Sequence, residues 1–125
     1  MKYSFKKEEK LSSKKLTQEL FSKGSSFYSY PFVIRFLQSP VENQSQHALL
    51  ISVSKRNFKH AVTRNVIKRK VSEAYRLNKQ LLKPLIEKDQ VLNIGLIFTA
   101  KKELNFDLIE NKLKLVLKRL IKEAE

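Results

Sequence analysis

The chain has 125 residues and no cysteine, with 26 Lys and Arg against 12 Asp and Glu, for a formal net charge of +14. This length predicts one domain, residues 1–125, and the cysteine count excludes both a disulfide framework and a thiolate metal site. No apolar run approaches the ~20 residues of a membrane span, so we expect a cytoplasmic protein with no membrane partner. The strong positive charge predicts a polyanionic ligand, nucleic acid first, with general solubility or loose membrane attraction as the alternative reasons for a basic chain.

The first predicted element is a helix over residues 13–23, where apolar residues recur at helical spacing. Ser12 and Ser13 are candidate N-caps, and Gly24 lies where a C-cap would end the helix. An early strand at residues 2–5 is also possible.

Three later stretches have the alternation or the β-forming composition of strands. They are YPFVIRFLQ (30–38), HALLISVSK (47–55) and VLNIGLIFTA (91–100). A polar turn between the first two predicts a hairpin. Ser52 and Ser54 face away from the core in the second stretch, and Gly95 in the third indicates a bulge or a close backbone approach.

Two amphipathic helices complete an α-β-β-α-β-α order, which predicts an α+β fold. The first follows residue 60, must end near Pro84, and places one set of apolar residues within an arc of about 100°. This set is Ile67, Val71, Ala74 and Tyr75. The second begins near Asp107, a candidate N-cap. Its apolar stripe is Ile109, Leu113, Val116, Leu117 and Leu120.

The first of these helices sorts its charges into one face. An adjacent arc of about 140° contains no carboxylate. It consists of Arg64, Asn65, Lys68, Arg69, Ser72 and Arg76. Glu73 lies outside it, where it cannot neutralise Arg64 or Arg69 well.

Further basic residues precede the helix, at the end where the helix dipole and unpaired amides favour phosphate: Lys55, Arg56, Lys59 and His60. We interpret this surface as a docking face for folded RNA. DNA is less favoured, and a solvated helix surface is the alternative.

Residues 61–69, AVTRNVIKR, resemble the arginine-rich signature A-V-x-R-N-R-x-K-R of the bacterial ribonuclease P protein family. The preceding ISVSKR resembles that family's strand ending in S-V-x-K-R, and KLSSKKLTQELFSKGSSFYSYPFVIRF resembles its opening helix, glycine and first strand. The resemblance therefore covers nearly the whole chain. Val66 replaces the second arginine of R-N-R, Ser72 occupies a position that is often basic, and residues 57–60 replace a shorter glycine-containing loop.

The resemblance implies a single-domain αβββαβα sandwich (ribosomal protein S5 domain 2-like), with helices packed on a mixed sheet and a left-handed crossover. It implies the protein component of ribonuclease P, which binds a catalytic RNA as its cofactor and partner. The complex would remove the 5′ leader of precursor tRNA by endonucleolytic hydrolysis, with Mg²⁺ bound chiefly by RNA, no catalytic residue in the protein and no required protein partner.

The resemblance and the charge pattern together give two sets of candidate site residues. The RNA-binding set is Lys55, Arg56, Lys59, His60, Arg64, Asn65, Lys68, Arg69 and Arg76. The set for a cleft that holds the single-stranded leader is Phe21, Val33, Arg35, Ser52 and Ser54. Phe21 is either a base-stacking residue of this cleft or a plain core residue. Tyr28 and Tyr30 form either a stacking platform or the edge of the core.

His47 and His60 are the only histidines, and no acidic residue lies near them at metal-ligand spacing. We therefore expect both to be polar surface residues, and we expect no metal site in the protein. A ribosomal or RNA-chaperone type of binding module without a role in tRNA processing is the alternative function, and a stand-alone nuclease is a third.

Overall fold

The chain folds into four helices and a four-stranded sheet in a computed structural model, which describes residues 11, 13–40, 44 and 46–124. The elements are α1 (Lys14–Lys23), β1 (Ser25–Ser29), β2 (Phe32–Gln38), β3 (Ala48–Val53), α2 (Ala61–Asn78), a 3₁₀ turn (Lys79–Leu82), α3 (Lys83–Glu87), β4 (Leu92–Phe98) and α4 (Phe106–Ala124). The early strand considered at residues 2–5 and the candidate cap Ser12 lie outside the described residues.

The sheet is mixed, with strand order β1-β2-β4-β3. β2 pairs antiparallel with both β1 and β4, whereas β3 pairs parallel with β4. Helices on a mixed sheet confirm the expected α+β class. The sequence pattern alone does not distinguish β1 from β2. With β1, the chain has the three strands before α2 that the family resemblance implies.

The predicted hairpin between β2 and β3 is wrong, because β4 lies between these strands. β4 is buried along nearly its whole length, with Ile94 and Leu96 fully inaccessible. A strand that is apolar on both faces is most stable at the centre of a sheet, covered on each side. The polar turn after β2 therefore connects two strands that are not hydrogen-bonded neighbours.

The main core lies between one face of the sheet and the helices α2 and α4. Both predicted apolar stripes are confirmed, since Ile67, Val71, Ala74, Tyr75 and the whole stripe of α4 are at most 1% exposed. On the opposite face, α1 lies across β2 and β4 and buries Leu20 completely. The sheet is thus covered fully on one face and only partly on the other.

Local signals explain where the helices begin and end. Ser13 caps α1 by accepting a hydrogen bond from the Leu16 amide at 3.3 Å. Gly24 ends α1 as predicted, in an extended conformation, and a Cβ there would lie 2.4 Å from the Leu20 carbonyl oxygen. Close approach of the backbone therefore requires this glycine.

Two helix boundaries differ from expectation. Asn105, rather than Asp107, caps α4, because its Oδ1 accepts from the Leu108 amide at 2.9 Å. The break after α2 comes at the 3₁₀ turn, and Pro84 lies in the first turn of α3, where its missing N–H costs no hydrogen bond. Gly95 forms no bulge, since it pairs regularly in the sheet, but the close approach that its position also predicted is present: a Cβ there would lie 3.3 Å from the Leu20 side chain of α1.

Candidate nucleic-acid interface

The cationic face of α2 points outward because the apolar stripe of the same helix is buried. Asn65 and Arg69 are exposed, while the other members of the face are half-buried. The first turn of α2 contains no acidic residue, and the N-cap residue His60 makes no side-chain capping hydrogen bond. The first amides of this 18-residue helix are therefore available to an anion beside the cations.

The loop before α2 is held on the core by Phe58. This side chain is buried, and its ring centre lies 6.2 Å from that of Phe98 in β4. The loop turns tightly, because the Phe58 amide donates to the Ser54 carbonyl at 3.1 Å and the Arg56 amide donates to Ser54 Oγ at 3.0 Å. A buried aromatic residue thus fixes this loop, and its four basic residues, Lys55, Arg56, Lys59 and His60, remain exposed.

Arg64 connects this loop to α2. Its Nη1 donates to the carbonyl oxygens of Phe58 at 2.8 Å and Lys59 at 2.9 Å. Arg64 therefore positions the loop as well as contributing charge to the helix face. Sequence reasoning assigns it only the second role, because a bond to a carbonyl five or six residues earlier leaves no pattern in the sequence.

The charges of the face are not equally available, because Glu73 reaches Arg76. The Arg76 Nε donates to Glu73 Oε1 at 3.0 Å, and the two side chains form an ion pair three residues apart. Hydrogen bonding to Arg76 lowers the pKa of Glu73, and the same bond raises the pKa of Arg76. Glu73 lies opposite Arg64 in the helical projection, but it is only about 40° from Arg69. The face is therefore not as free of carboxylate influence as expected.

The partly open sheet face lies beside the loop. Tyr28, Val33, Ile97 and Ser52 pair in register across the four strands and form one row on the face that α1 only partly covers. Val33 and Ser52 are half-buried there, as is Ser54 at the start of the loop. The sequence does not predict Ile97 for this face, since a strand that is apolar throughout does not reveal which side is open.

Aromatic side chains border this face. Phe21, at the end of α1, is 39% exposed and is therefore not a plain core residue. Tyr28 is 57% and Tyr30 43% exposed, whereas Phe27 is the buried aromatic of β1. Both tyrosine rings are therefore largely accessible, as a stacking platform would require.

Arg35, predicted as a ligand contact, makes its hydrogen bonds within the protein. Its Nη2 donates to the Phe21 carbonyl at 2.7 Å and, at 3.4 Å, to the Gly24 carbonyl. Its guanidinium carbon lies 5.7 Å from the centre of the Phe21 ring. A cation at the last carbonyls of a helix stabilises that end, so Arg35 holds α1 and Phe21 in place on the sheet.

The expectation that His47 is a surface residue is wrong. It is 3% exposed, its Nδ1 accepts from the Leu92 amide at 2.9 Å, and its Nε2 lies 3.3 Å from the Leu82 carbonyl oxygen. These partners define a neutral ring that donates from Nε2, and burial lowers the pKa of His47. His60 is exposed, as expected.

Within the described ranges, no three His, Asp or Glu side chains come together as metal ligands. None of the helices described is long and apolar enough to cross a bilayer.

These features define a small basic α+β protein whose cationic helix and loop lie beside a partly open sheet face. The family model described as Ribonuclease P matches residues 5–122. The chain therefore belongs to the ribonuclease P protein family.

Relatives and solved structures agree with this assignment. The chain is 34% identical to a ribonuclease P protein component of Porphyromonas gingivalis over 71% of its own length and 65% of the relative's, so the match spans just under two thirds of that protein. It is 31% identical to the component of Petrotoga mobilis over 98% of its length and 96% of the relative's.

The fold is also similar to solved structures. The Staphylococcus aureus RNase P protein matches with a TM-score of 0.73 and 26% identity, covering 90% of this chain and 94% of that one. The Thermotoga maritima protein matches with a TM-score of 0.71 and 26% identity, covering 89% and 96%.

Proposed function

We propose that this chain is the protein component of a ribonuclease P, which binds the catalytic RNA and assists endonucleolytic removal of the 5′ leader from precursor tRNA. The observation that carries the proposal is the surface formed by the loop and α2, on which all nine candidate RNA-binding side chains are accessible. Among the described residues, the carboxylate that pairs with one of them is that of Glu73, which binds Arg76. Membership of the ribonuclease P protein family gives this surface its specific partner.

The RNA backbone would bind where α2 begins. Exposed Lys55, Arg56 and Lys59 precede the first amides of α2, which the N-cap residue His60 does not cap, and Lys68 and Arg69 continue the positive surface along the helix. Arg can form two parallel bonds to phosphate oxygens, while Lys acts as a point charge. Asn65 can exchange hydrogen bonds with a sugar hydroxyl or a base edge.

The single-stranded leader would lie on the open sheet face. Phe21 supplies an exposed ring for stacking on an unpaired base, and Val33 supplies an apolar floor. Ser52 pairs with Ile97 on this face, and Ser54 follows it at the start of the basic loop, so we expect the leader to continue from the sheet face toward the RNA-binding surface. Arg35 would act on the leader indirectly, by fixing Phe21.

We assign hydrolysis of the phosphodiester to the RNA, with Mg²⁺ held chiefly by RNA phosphates, and no catalytic role to a side chain of the protein. The protein's contribution is to screen phosphate repulsion and to position the leader. A cysteine-free chain suits a reducing cytoplasm, where we place it.

The decisive experiment is leader removal from a precursor tRNA at low Mg²⁺, comparing protein alone, cognate catalytic RNA alone and the two together. Cleavage mainly by the mixture is the expected result, because screening by the protein matters most when Mg²⁺ is scarce. No gain over RNA alone would favour a general RNA-binding module. Cleavage by the protein alone would reveal a nuclease centre and contradict the proposal.

A further inference from the structure

A cavity of 380 Å³ lies at the end of α2 that is remote from the basic loop. It is bounded by the approach to β3, the last turns of α2, the 3₁₀ turn and α3. Its volume falls within the range of about 300–1,000 Å³ typical of small-molecule sites. The proposed RNA and leader surfaces use none of the residues that line it.

The inner wall of the cavity is rigid and uncharged. Tyr75 is 1% exposed, and His47 is fixed by backbone groups at both ring nitrogens. Ile86 of α3 adds an aliphatic side. Because Tyr75 and His47 are almost inaccessible, they close the floor of the cavity, and a planar ring would make its apolar contact mainly with Ile86.

The remaining lining residues are polar and of one charge sign. Lys79 and Lys83 are both cationic, and none of the described residues that line the cavity is acidic. Gln46 and Gln80 contribute side-chain amides, each with donors and an acceptor. Such amides match the edge of a nucleobase, and lysine ammonium groups match a phosphate.

We propose that this cavity binds a single purine nucleotide, with its base against the inner wall and its phosphate at Lys83. A free nucleoside monophosphate and an unstacked nucleotide of an RNA share this chemistry. Binding to the isolated chain does not depend on the function proposed above.

The test is a titration of the protein with adenosine 5′-monophosphate, followed by the NMR signals of the Ile86 methyl groups and the Gln80 side-chain amide. Saturable shifts at both residues are expected. Lys83→Gln should raise the dissociation constant about two- to fivefold, the usual effect of one solvent-exposed charge contact. Ile86→Trp should abolish binding by filling the cavity. Lys101→Gln removes an exposed cation outside the cavity and should leave binding unchanged.

Three results would overturn the proposal. They are no saturable shift, equal binding by inorganic phosphate and the nucleotide, and unchanged affinity in Lys83→Gln together with Ile86→Trp. If the tryptophan variant does not fold, adenosine without phosphate replaces it as the second measurement, and it should bind about two- to fivefold more weakly.

Photolabelling with 8-azidoadenosine 5′-monophosphate distinguishes a free nucleotide from a nucleotide of the catalytic RNA as the occupant of the cavity. Labelling that persists when the catalytic RNA is bound identifies a free nucleotide as the occupant. Labelling that the RNA suppresses identifies a nucleotide of that RNA, and labelling outside the cavity-lining peptides would contradict the site itself.

Discussion

A Glu73→Gln variant should bind the catalytic RNA more tightly than the unchanged protein. The Glu73 carboxylate holds the Arg76 guanidinium in an ion pair on the accessible side of α2. Arg76 must leave this partner before it binds a phosphate, and the carboxylate itself repels the RNA backbone. Glutamine keeps the size and the helix propensity of the residue and removes only its charge.

The expected magnitude follows from counterion release. If the basic face makes about five phosphate contacts, the slope of log K against log salt should be about −4, and one further contact should steepen it by up to about 0.9. The affinity at moderate salt should rise about two- to fivefold, as for other solvent-exposed charge contacts. For the same reason Arg76→Gln should weaken binding less than Arg69→Gln, because Arg69 forms no ion pair with any residue that the structure describes.

Fluorescence anisotropy with labelled catalytic RNA, between about 50 and 300 mM salt, gives both the affinity and the slope. Glu103→Gln is the matched control, because it removes an exposed carboxylate that lies outside α2. Equal gains from Glu73→Gln and Glu103→Gln would show that only net charge matters. Equal losses from Arg76→Gln and Arg69→Gln would refute the reasoning about the ion pair.

Further predictions concern the loop, the core histidine and a glycine. Arg64→Ala should weaken RNA binding about tenfold, since it removes two charged hydrogen bonds to the loop, whereas Lys118→Ala on α4 should change the same anisotropy titration less than about twofold. Burial lowers the pKa of His47, so the unfolded chain takes up its proton more readily. Stability should therefore fall as the pH drops below about 6.5, and His47→Gln should lose this dependence in urea unfolding between about pH 7 and 5. Gly24→Ala should lower the free energy of unfolding by about 1–3 kcal/mol, because its Cβ meets backbone oxygen. Gly95→Ala, which meets the end of a leucine side chain, should cost less in the same assay.

Helical periodicity made part of the fold predictable. An apolar stripe on a helix is a local signal, because each residue's face follows from its position in the chain. Ile67, Val71 and Leu113 could therefore be placed in the core without knowledge of their contacts, and all three are fully buried. The outward direction of the α2 cations followed from the same projection.

Strand pairing was less predictable, because it depends on partners far along the chain. The segment Ser25–Ser29 contains three serines and only two aromatic residues, yet register with β2 makes it a strand. β4 separates β2 from β3 although more than fifty residues lie between β2 and β4. The burial of His47 could not be predicted for the same reason, since its two hydrogen-bond partners, Leu82 and Leu92, are 35 and 45 residues away.

The structure also shows that not every cation of the chain is equally available to contact phosphate. Arg35 and Arg119 donate to backbone carbonyls, and Arg119 also lies 3.4 Å from the Glu123 carboxylate. A net charge of +14 therefore overstates the charge available to RNA at any one surface. If binding depended on diffuse charge, every exposed cation would contribute alike to the salt slope. The sorted face predicts instead that Lys68 and Arg69 contribute about one contact each, and that cations of α4 contribute little.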